Sequence, residues 1–420
     1  GLLHNPGQLR QSGDPAPDSA RNEGNQMDGQ DARGPSPAIE RARRVAPVVR
    51  QARPRIEAAR ELPNDVIAAL HEARMFRLLL PKWLDGDELD LATHAQAIET
   101  MAAADASTAW VMGQGAGCAM AAAFLGPDAA RRLFGPADAV LAWGAGVQGK
   151  ATAVPGGYKV TGTWTFASGS RHATLLGGHS FVFETDGSPR RRADGRQLDR
   201  TLLFGRSQAT IHDVWQTMGL KGTGSDTFEV DDLFVPEDET IDREDPRELR
   251  ETGTLYKFSA SLAYGAGFGG LMLGIARGML DDLRALALVK TQRGASTSLR
   301  DSPVFHTDYA RLEAKWRAAR MYHLTTLQEV WQAVVRAGAI TLEQRADCKL
   351  ASTWIINQGV EVATEAYRLA GQTAIFPANP FEQRLRDALS ASQQTQARAT
   401  NYITTGRILL GLEPDTTMFL

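Results

Sequence analysis

From Ala38 onward the apolar positions recur with the period of a helix. Ile39, Ala42, Val45, Val48 and Val49 share one side, and Arg41, Arg43 and Arg44 lie elsewhere. Pro63 stops that run, Asn64 can cap the next, and Val66, Leu70 and Ala73 line one face of it. Residues 91 to 105 and 107 to 125 repeat the behaviour. The second is so rich in Ala and Gly that neighbouring backbones can approach closely. Helices are expected through about Phe134.

Between Val140 and about Glu239 the texture changes. Short β-branched and aromatic runs, LAWGAGV, YKVTGTWTF, SFVFET, TLLFG and TFEVDDLFV, are separated by PGG, TDGSP and RADGR. This is the pattern of an antiparallel sheet with hairpins. After Leu255 the helical period returns. Residues 256 to 289 could form a helix of about 50 Å, and amphipathic segments follow near 303–337, 342–369 and 383–410. The expected organisation is α+β with segregated elements. It comprises a disordered tail (1–37), an N-terminal helical domain (38–139), a middle β domain (140–250) and a C-terminal four-helix bundle (251–420).

Composition narrows the partners. The 420 residues are 43% hydrophobic and 23% charged, enough to bury a large core in two or three domains. A net charge of -3 provides no electrostatic footprint for nucleic acid, so the expected partner is a small molecule. Cys118 and Cys348 have no metal-binding spacing, and no metal is expected. No apolar run reaches the roughly 20 residues that span a bilayer, and the N-terminus lacks the regions of a signal peptide. The expectation is a cytoplasmic protein without a membrane partner. Residues 1–37, rich in Gly, Pro, Gln, Asn, Asp and Ser, bury too little to offset ordering entropy.

Two glycine motifs invite a nucleotide reading and lack its context. GAGFGG at 265–270 fits GxGxxG, yet no strand precedes it and no βαβ unit follows. Its glycines read better as a close helix contact. GLKGTGS at 219–225 runs into strand-like TFEV and reads as a loop between strands. The Arg190–Arg192 run is flanked by Asp186, Asp194 and Asp199 and reads as a solvated hairpin tip.

The segment TWTFASGSRHA at 163–173 carries the most chemistry. Strand alternation predicts Trp164 and Phe166 on one face and Thr163, Thr165 and Ala167 on the other, before Gly169 lets the chain bend. Ser168 then sits at a strand end beside an aromatic. That combination suits the edge of a planar heteroaromatic ring, and equally a turn serine bonded to its own backbone.

Five motifs in order carry a resemblance from about Ala38 to Gly411. They are LPNDVIAALHEARMFRLLLPK, ADASTAW, PGGYKVTGTWTFASGSRHA, VWQTMGLKGTGSDTFEVDDLFVPE and NPFEQRLRDALSASQQ. Together they resemble the acyl-CoA dehydrogenase superfamily, and most closely its two-component, reduced-flavin-dependent monooxygenase oxygenases. The resemblance implies a middle antiparallel β-barrel between helical domains, and a homotetramer supplied by a separate flavin reductase. It places a reduced flavin, FMNH2 in preference to FADH2, between the middle domain and the bundle. Phe166, Ala167 and Ser168 would meet the flavin edge, Ser168 near N5, with Trp110 and Trp143 close by. Arg293, Gly371, Gln372 and Thr373 would face the phosphate.

The same alignment discriminates between activities. An acyl-CoA dehydrogenase removes an α-proton with a carboxylate, and the two positions that could carry it hold Tyr264 and Thr395. A monooxygenase instead protects a C4a-hydroperoxyflavin in a desolvated pocket, which Ser168 would hydrogen-bond. Many relatives carry a histidine where this chain has Gln394, and an amide does not titrate near neutrality. The nearest substitute base by sequence is His172, which could equally hold the strand end through a backbone bond. His71, His94 and His306 read as surface or packing residues. The leading expectation is a monooxygenase that hydroxylates, or oxidises at N or S, a small aromatic or polycyclic substrate. The alternatives are an atypical flavin dehydrogenase or dehydratase, or a flavin-binding protein without turnover.

Overall fold

Two helices of the N-terminal third pack on a long apolar helix of the C-terminal half, one of them almost backbone to backbone. In the computed structural model, which describes residues 36–416 except 292, 295 and 296, α1 spans Pro37–Ala59, α2 Asn64–Glu72, α3 Leu91–Ala104, α4 Ala106–Ala119 and α5 Pro127–Phe134. The tail expected at 1–37 lies outside the described residues except at Ser36 and Pro37, and Pro37 already opens α1. Asp90 and Asp105 cap α3 and α4 by accepting N–H bonds from Thr93 and Thr108, at 2.8 and 2.7 Å.

GAGFGG lies inside α6 (Ala260–Ala287), as its helical reading requires. A Cβ on Gly270 would sit 2.2 Å from the Ala95 carbonyl oxygen, and one on Gly274 2.3 Å from that of Glu99. These glycines exist to let α6 lie against α3. The remaining helices are α7 (Pro303–Ala337), α8 (Leu342–Ala370), α9 (Phe381–Ala391) and α10 (Thr400–Leu409). The single helix expected near 383–410 is therefore broken. The intervening SQQTQ has no apolar residue to bury, and Asn401 Nδ2 donates to the carbonyls of Thr395 and Gln396 at 3.0 and 3.1 Å.

The strands are β1 (Leu141–Trp143), β2 (Gly149–Val154), β3 (Gly157–Ala167), β4 (Leu175–Phe183), β5 (Asp199–Gly205), β6 (Thr210–His212), β7 (Asp226–Pro236) and β8 (Thr240–Ile241). They pair in the order β6-β7-β3-β2-β4-β5-β8, with β1 beside β4. This corrects the expected antiparallel barrel in two ways. β4 pairs in parallel with both β1 and β2, and the pairing runs as an open path that does not close. Small residues in GKATAV hid β2 from a propensity reading. Trp164 centres the sheet's core, with its indole N–H donated to the His179 carbonyl at 2.8 Å.

No described helix is long and apolar enough to cross a membrane.

We predict that Gly270→Val destabilises the protein by about 3 kcal/mol or more, because its branches would overlap backbone rather than a yielding side chain. Gly406→Ala on α10, with nothing within 4 Å of the added Cβ, should instead gain about 0.5–1 kcal/mol. Urea unfolding of both variants checks the contrast; equal stabilities would contradict the tight α3–α6 contact.

Candidate functional site

The end of β3 does not keep its alternation. Between Trp164 and Ala167 the pairing with β7 slips, and Phe166 takes a left-handed φ of 62°. The expected shared face of Trp164 and Phe166 is thereby undone. Trp164 and Ala167 both point into the core, whereas Phe166 is 61% exposed and meets Trp215 edge-on at 6.0 Å. The bulge thus presents an aromatic ring outward, with the half-buried Ser168 hydroxyl beside it.

Ser168 is bonded on both sides. Its Oγ accepts the Trp110 Nε1–H at 2.9 Å and lies 2.7 Å from Ser225 Oγ. Ser225 Oγ is in turn 2.7 Å from Thr223 Oγ1, which donates to the Leu220 carbonyl at 2.9 Å. The GLKGTGS loop therefore supplies two buried hydroxyls behind Ser168.

That loop is held from several directions. Asp387 of α9 accepts the Leu220 N–H at 2.7 Å, and Ser107 of α4 accepts the Gly222 N–H at 3.2 Å. Asp226 accepts the N–H groups of Val214 and Trp215 at 3.1 and 3.2 Å and pairs with Arg171 at 2.6 Å. Burial pushes the Asp387 carboxyl up to about 7. The neighbouring Asp105 adds to the shift, and the Leu220 N–H only partly offsets it.

Trp110 also faces a small cavity between α3, α4 and α6. His94, Gly113, Tyr264 and Phe268 line it, and Phe268 packs on Trp110 with ring centroids 4.5 Å apart. His94 is 1% exposed, and its Nδ1 has no hydrogen-bond partner. Burial lowers its pKa to about 4, so the imidazole is neutral near pH 7. Tyr264 stacks on Phe268, and its hydroxyl lies 3.3 Å from Cys118 Sγ. Burial raises that thiol to about 12, which leaves it inert. No carboxylate lines this cavity, nor the second one, which Thr395 shares with Ser352 and Asn401.

The other sequence-selected residues are placed as follows. The Ala167 methyl is buried, so only its backbone could meet a ligand. Trp143 packs with its ring 5.0 Å from His179 and beneath the Arg243 guanidinium. His172 Nε2 accepts the Leu62 N–H at 3.1 Å, which spends its free lone pair on backbone. Gln394 Oε1 accepts the Gln396 N–H at 2.8 Å, while its buried Nε2 has no partner. Arg293 is exposed in the turn after α6. Lys290, near the start of that turn, donates to the Ala370 carbonyl at 2.6 Å, next to Gly371, Gln372 and Thr373. The structure thus joins Ser168 to Trp110, and separately ties the turn carrying Arg293 to the end of α8.

Comparison with known proteins places this geometry. Residues 41–137 match the acyl-CoA dehydrogenase N-terminal domain and residues 266–398 the C-terminal domain. An indole-3-acetate monooxygenase of Pseudomonas putida is 30% identical over 359 residues, covering 84% of this chain and 89% of that protein. The chain belongs to the acyl-CoA dehydrogenase superfamily. Within it, the chain is a flavin-dependent oxidoreductase of the monooxygenase group. The same fold occurs in the 3-HSA hydroxylase of Rhodococcus sp. RHA1, with a TM-score of 0.83 and 23% identity over 92% of this chain and 99% of that one. It recurs in XiaF from Streptomyces sp., solved with FADH2 and glycerol. There the TM-score is 0.83 and the identity 22%, over 90% of this chain and 96% of that one.

Against this superfamily background, the residues missed from the sequence are Thr223, Ser225 and His94. The first two had a signal, since hydroxyls two apart just before a strand share a face. His94 had none, because an apolar helix face predicts packing and not the cavity beside it.

Asp387 holds its proton more tightly folded than unfolded, its ordinary value being 3.8. Its contribution to stability is therefore full below about pH 4 and is lost as pH rises through about 7. Asp387→Asn keeps an acceptor for Leu220 but cannot ionise. We predict that the variant gains on the wild type as pH rises across that window, as measured by urea unfolding. Parallel pH profiles would remove the buried carboxyl from this account.

Proposed function

We propose that this chain is the oxygenase component of a two-component monooxygenase, which takes reduced flavin from a separate reductase and uses O2 to oxidise a small aromatic substrate. The observation that carries the reading is the Trp110 indole. Its N–H bonds the Ser168 hydroxyl, while Phe268 of the carboxylate-free cavity packs on its ring. One aromatic residue therefore connects a ring-edge site to a cavity without carboxylates. The residues present fit a flavin: the exposed Phe166 ring offers an aromatic face next to the half-buried Ser168 hydroxyl. XiaF, of the same fold, is solved with FADH2, and both FMNH2 and FADH2 carry the ring that Ser168 would meet. The bound cofactor supplies the electrons that activate O2. The chain's own residues orient the ring edge, exclude water and hold the substrate.

The absence of carboxylates from both cavities argues against α-proton abstraction from an acyl thioester. A planar substrate would instead enter the cavity beside Phe268, Tyr264 and Trp110, widening it as it binds. There the neutral His94 imidazole can bond a phenolic O–H or an indole N–H. This gives His94, in place of His172, the polar contact that the Gln394 position does not provide.

We extend the proposal to a homotetramer. Val304, Met321 and Val335 on α7, with Ile403 and Leu409 on α10, are exposed apolar side chains that a second copy would cover.

Anaerobic titration with FMNH2 and FADH2, followed by isotopically labelled O2 and indole or phenol substrates, tests the reading. The expected outcome is tight binding of a reduced flavin and one labelled oxygen atom in the product. Failure to bind either flavin, or turnover of acyl thioesters alone, would falsify it. His94→Phe, which keeps the bulk and removes both nitrogens, is predicted to raise KM for such substrates about five- to tenfold without changing flavin affinity. An unchanged KM removes His94 from the substrate pocket.

A further inference from the structure

We propose that the hydroxyl chain behind Ser168 fixes that residue as a hydrogen-bond acceptor, and so makes the site select reduced over oxidised flavin. The inference rests on the flavin-binding reading above and assigns new roles to Ser225 and Thr223.

The argument is a count of hydrogens. A hydroxyl has one hydrogen to donate and two lone pairs. A carbonyl oxygen only accepts, so the Thr223 hydroxyl commits its hydrogen to Leu220, 2.9 Å away. Ser225, 2.7 Å from Thr223, then has to donate to it. Ser168, 2.7 Å from Ser225, then has to donate in the same direction. The Trp110 N–H fills one lone pair of Ser168 at 2.9 Å. Ser168 is left with no free hydrogen and a single open lone pair.

Little can reverse this polarity. Thr223 and Ser225 are buried, so water offers them no alternative partner. The Leu220 peptide cannot turn, because its N–H is held by Asp387 and its carbonyl also accepts the Trp215 indole N–H at 3.0 Å.

The two redox states of an isoalloxazine differ at N5. The oxidised ring presents a lone pair there, and the two-electron-reduced ring presents an N–H. An acceptor-only Ser168 bonds the second and repels the first. Ser225 and Thr223 touch no flavin in this account; they are positioning residues that act through Ser168. Selectivity of this kind would let oxidised flavin leave after turnover and let reduced flavin compete for the site.

The test measures dissociation constants of oxidised and anaerobically reduced FMN and FAD for the full-length wild type, Ser225→Ala, Thr223→Val and Ser168→Ala. In Ser225→Ala the Ser168 hydrogen is released. Oxidised flavin should then bind about five- to tenfold more tightly, with reduced-flavin affinity unchanged and the bound flavin's midpoint potential shifted negative. Thr223→Val should move the same quantities in the same direction, and serves if the alanine variant folds poorly. Ser168→Ala should instead narrow the selectivity by weakening the reduced form. If reduced flavin binds normally and neither relay variant tightens the oxidised form, the relay proposal is overturned and the flavin-binding reading stands. If the wild type binds neither form, both fall.

Discussion

The Leu220 peptide unit is the point on which the site depends. Its φ of 52° is unfavourable for a branched apolar side chain, yet four hydrogen bonds converge on it. The N–H goes to buried Asp387, and the carbonyl accepts from the Trp215 indole and from both the hydroxyl and the N–H of Thr223. Through Thr223 the peptide orients Ser225, then Ser168, then Trp110 at the cavity wall. α9, the interstrand loop, the end of β3 and α4 are thereby joined in one chain of short contacts. A shift of the loop by one residue would leave the buried hydroxyls of Thr223 and Ser225 unpaired, at a cost of about 1–3 kcal/mol each.

The superfamily fold was legible where the hydrophobic period ran uninterrupted. α1 to α4 and α6 to α8 follow spacing that composition alone exposes, and the helical reading of GAGFGG survives because α3 lies against those glycines. The end of β3 was not legible. Alternation assumes an unbroken ladder, and the bulge at Phe166 inserts a residue that sends its ring outward while Ala167 turns in. The break after α9 was hidden for a related reason, since SQQTQ contains no Pro or Gly to announce it. Its Thr395 and Gln396 carbonyls accept from Asn401, six and five residues further on.

Buried histidines show how similar chemistry divides by partner. Burial lowers the pKa of His94, His172, His179 and His323 alike. His172 accepts a backbone N–H from Leu62, His179 bonds Thr201 through Nδ1, and His323 bonds the Ala266 carbonyl through Nε2. Each of those bonds ties two segments together. His94 and His323 both have an Nδ1 without a partner, and His94 differs because its ring lines a cavity. A buried polar atom left unpaired is costly, and an incoming aromatic hydroxyl or indole N–H in the cavity would give the ring a bond it lacks.

Strain and burial converge on the same few residues. A phenylalanine at φ 62° costs of order 1–3 kcal/mol and persists only where its surroundings over-determine it. Those surroundings are in place. β7 pairs with Ala167 just after the bulge, and Gly169 N–H donates to the Thr223 carbonyl at 2.9 Å. Asp226, which pairs with Ala167 across the strands, is itself clamped by Arg171. A relaxed strand would bury Phe166 and leave Ser168 beside no exposed ring. The bulge therefore trades local stability for one exposed aromatic face next to one hydroxyl, and the buried ion pair and the hydroxyl chain behind it are what make that trade affordable.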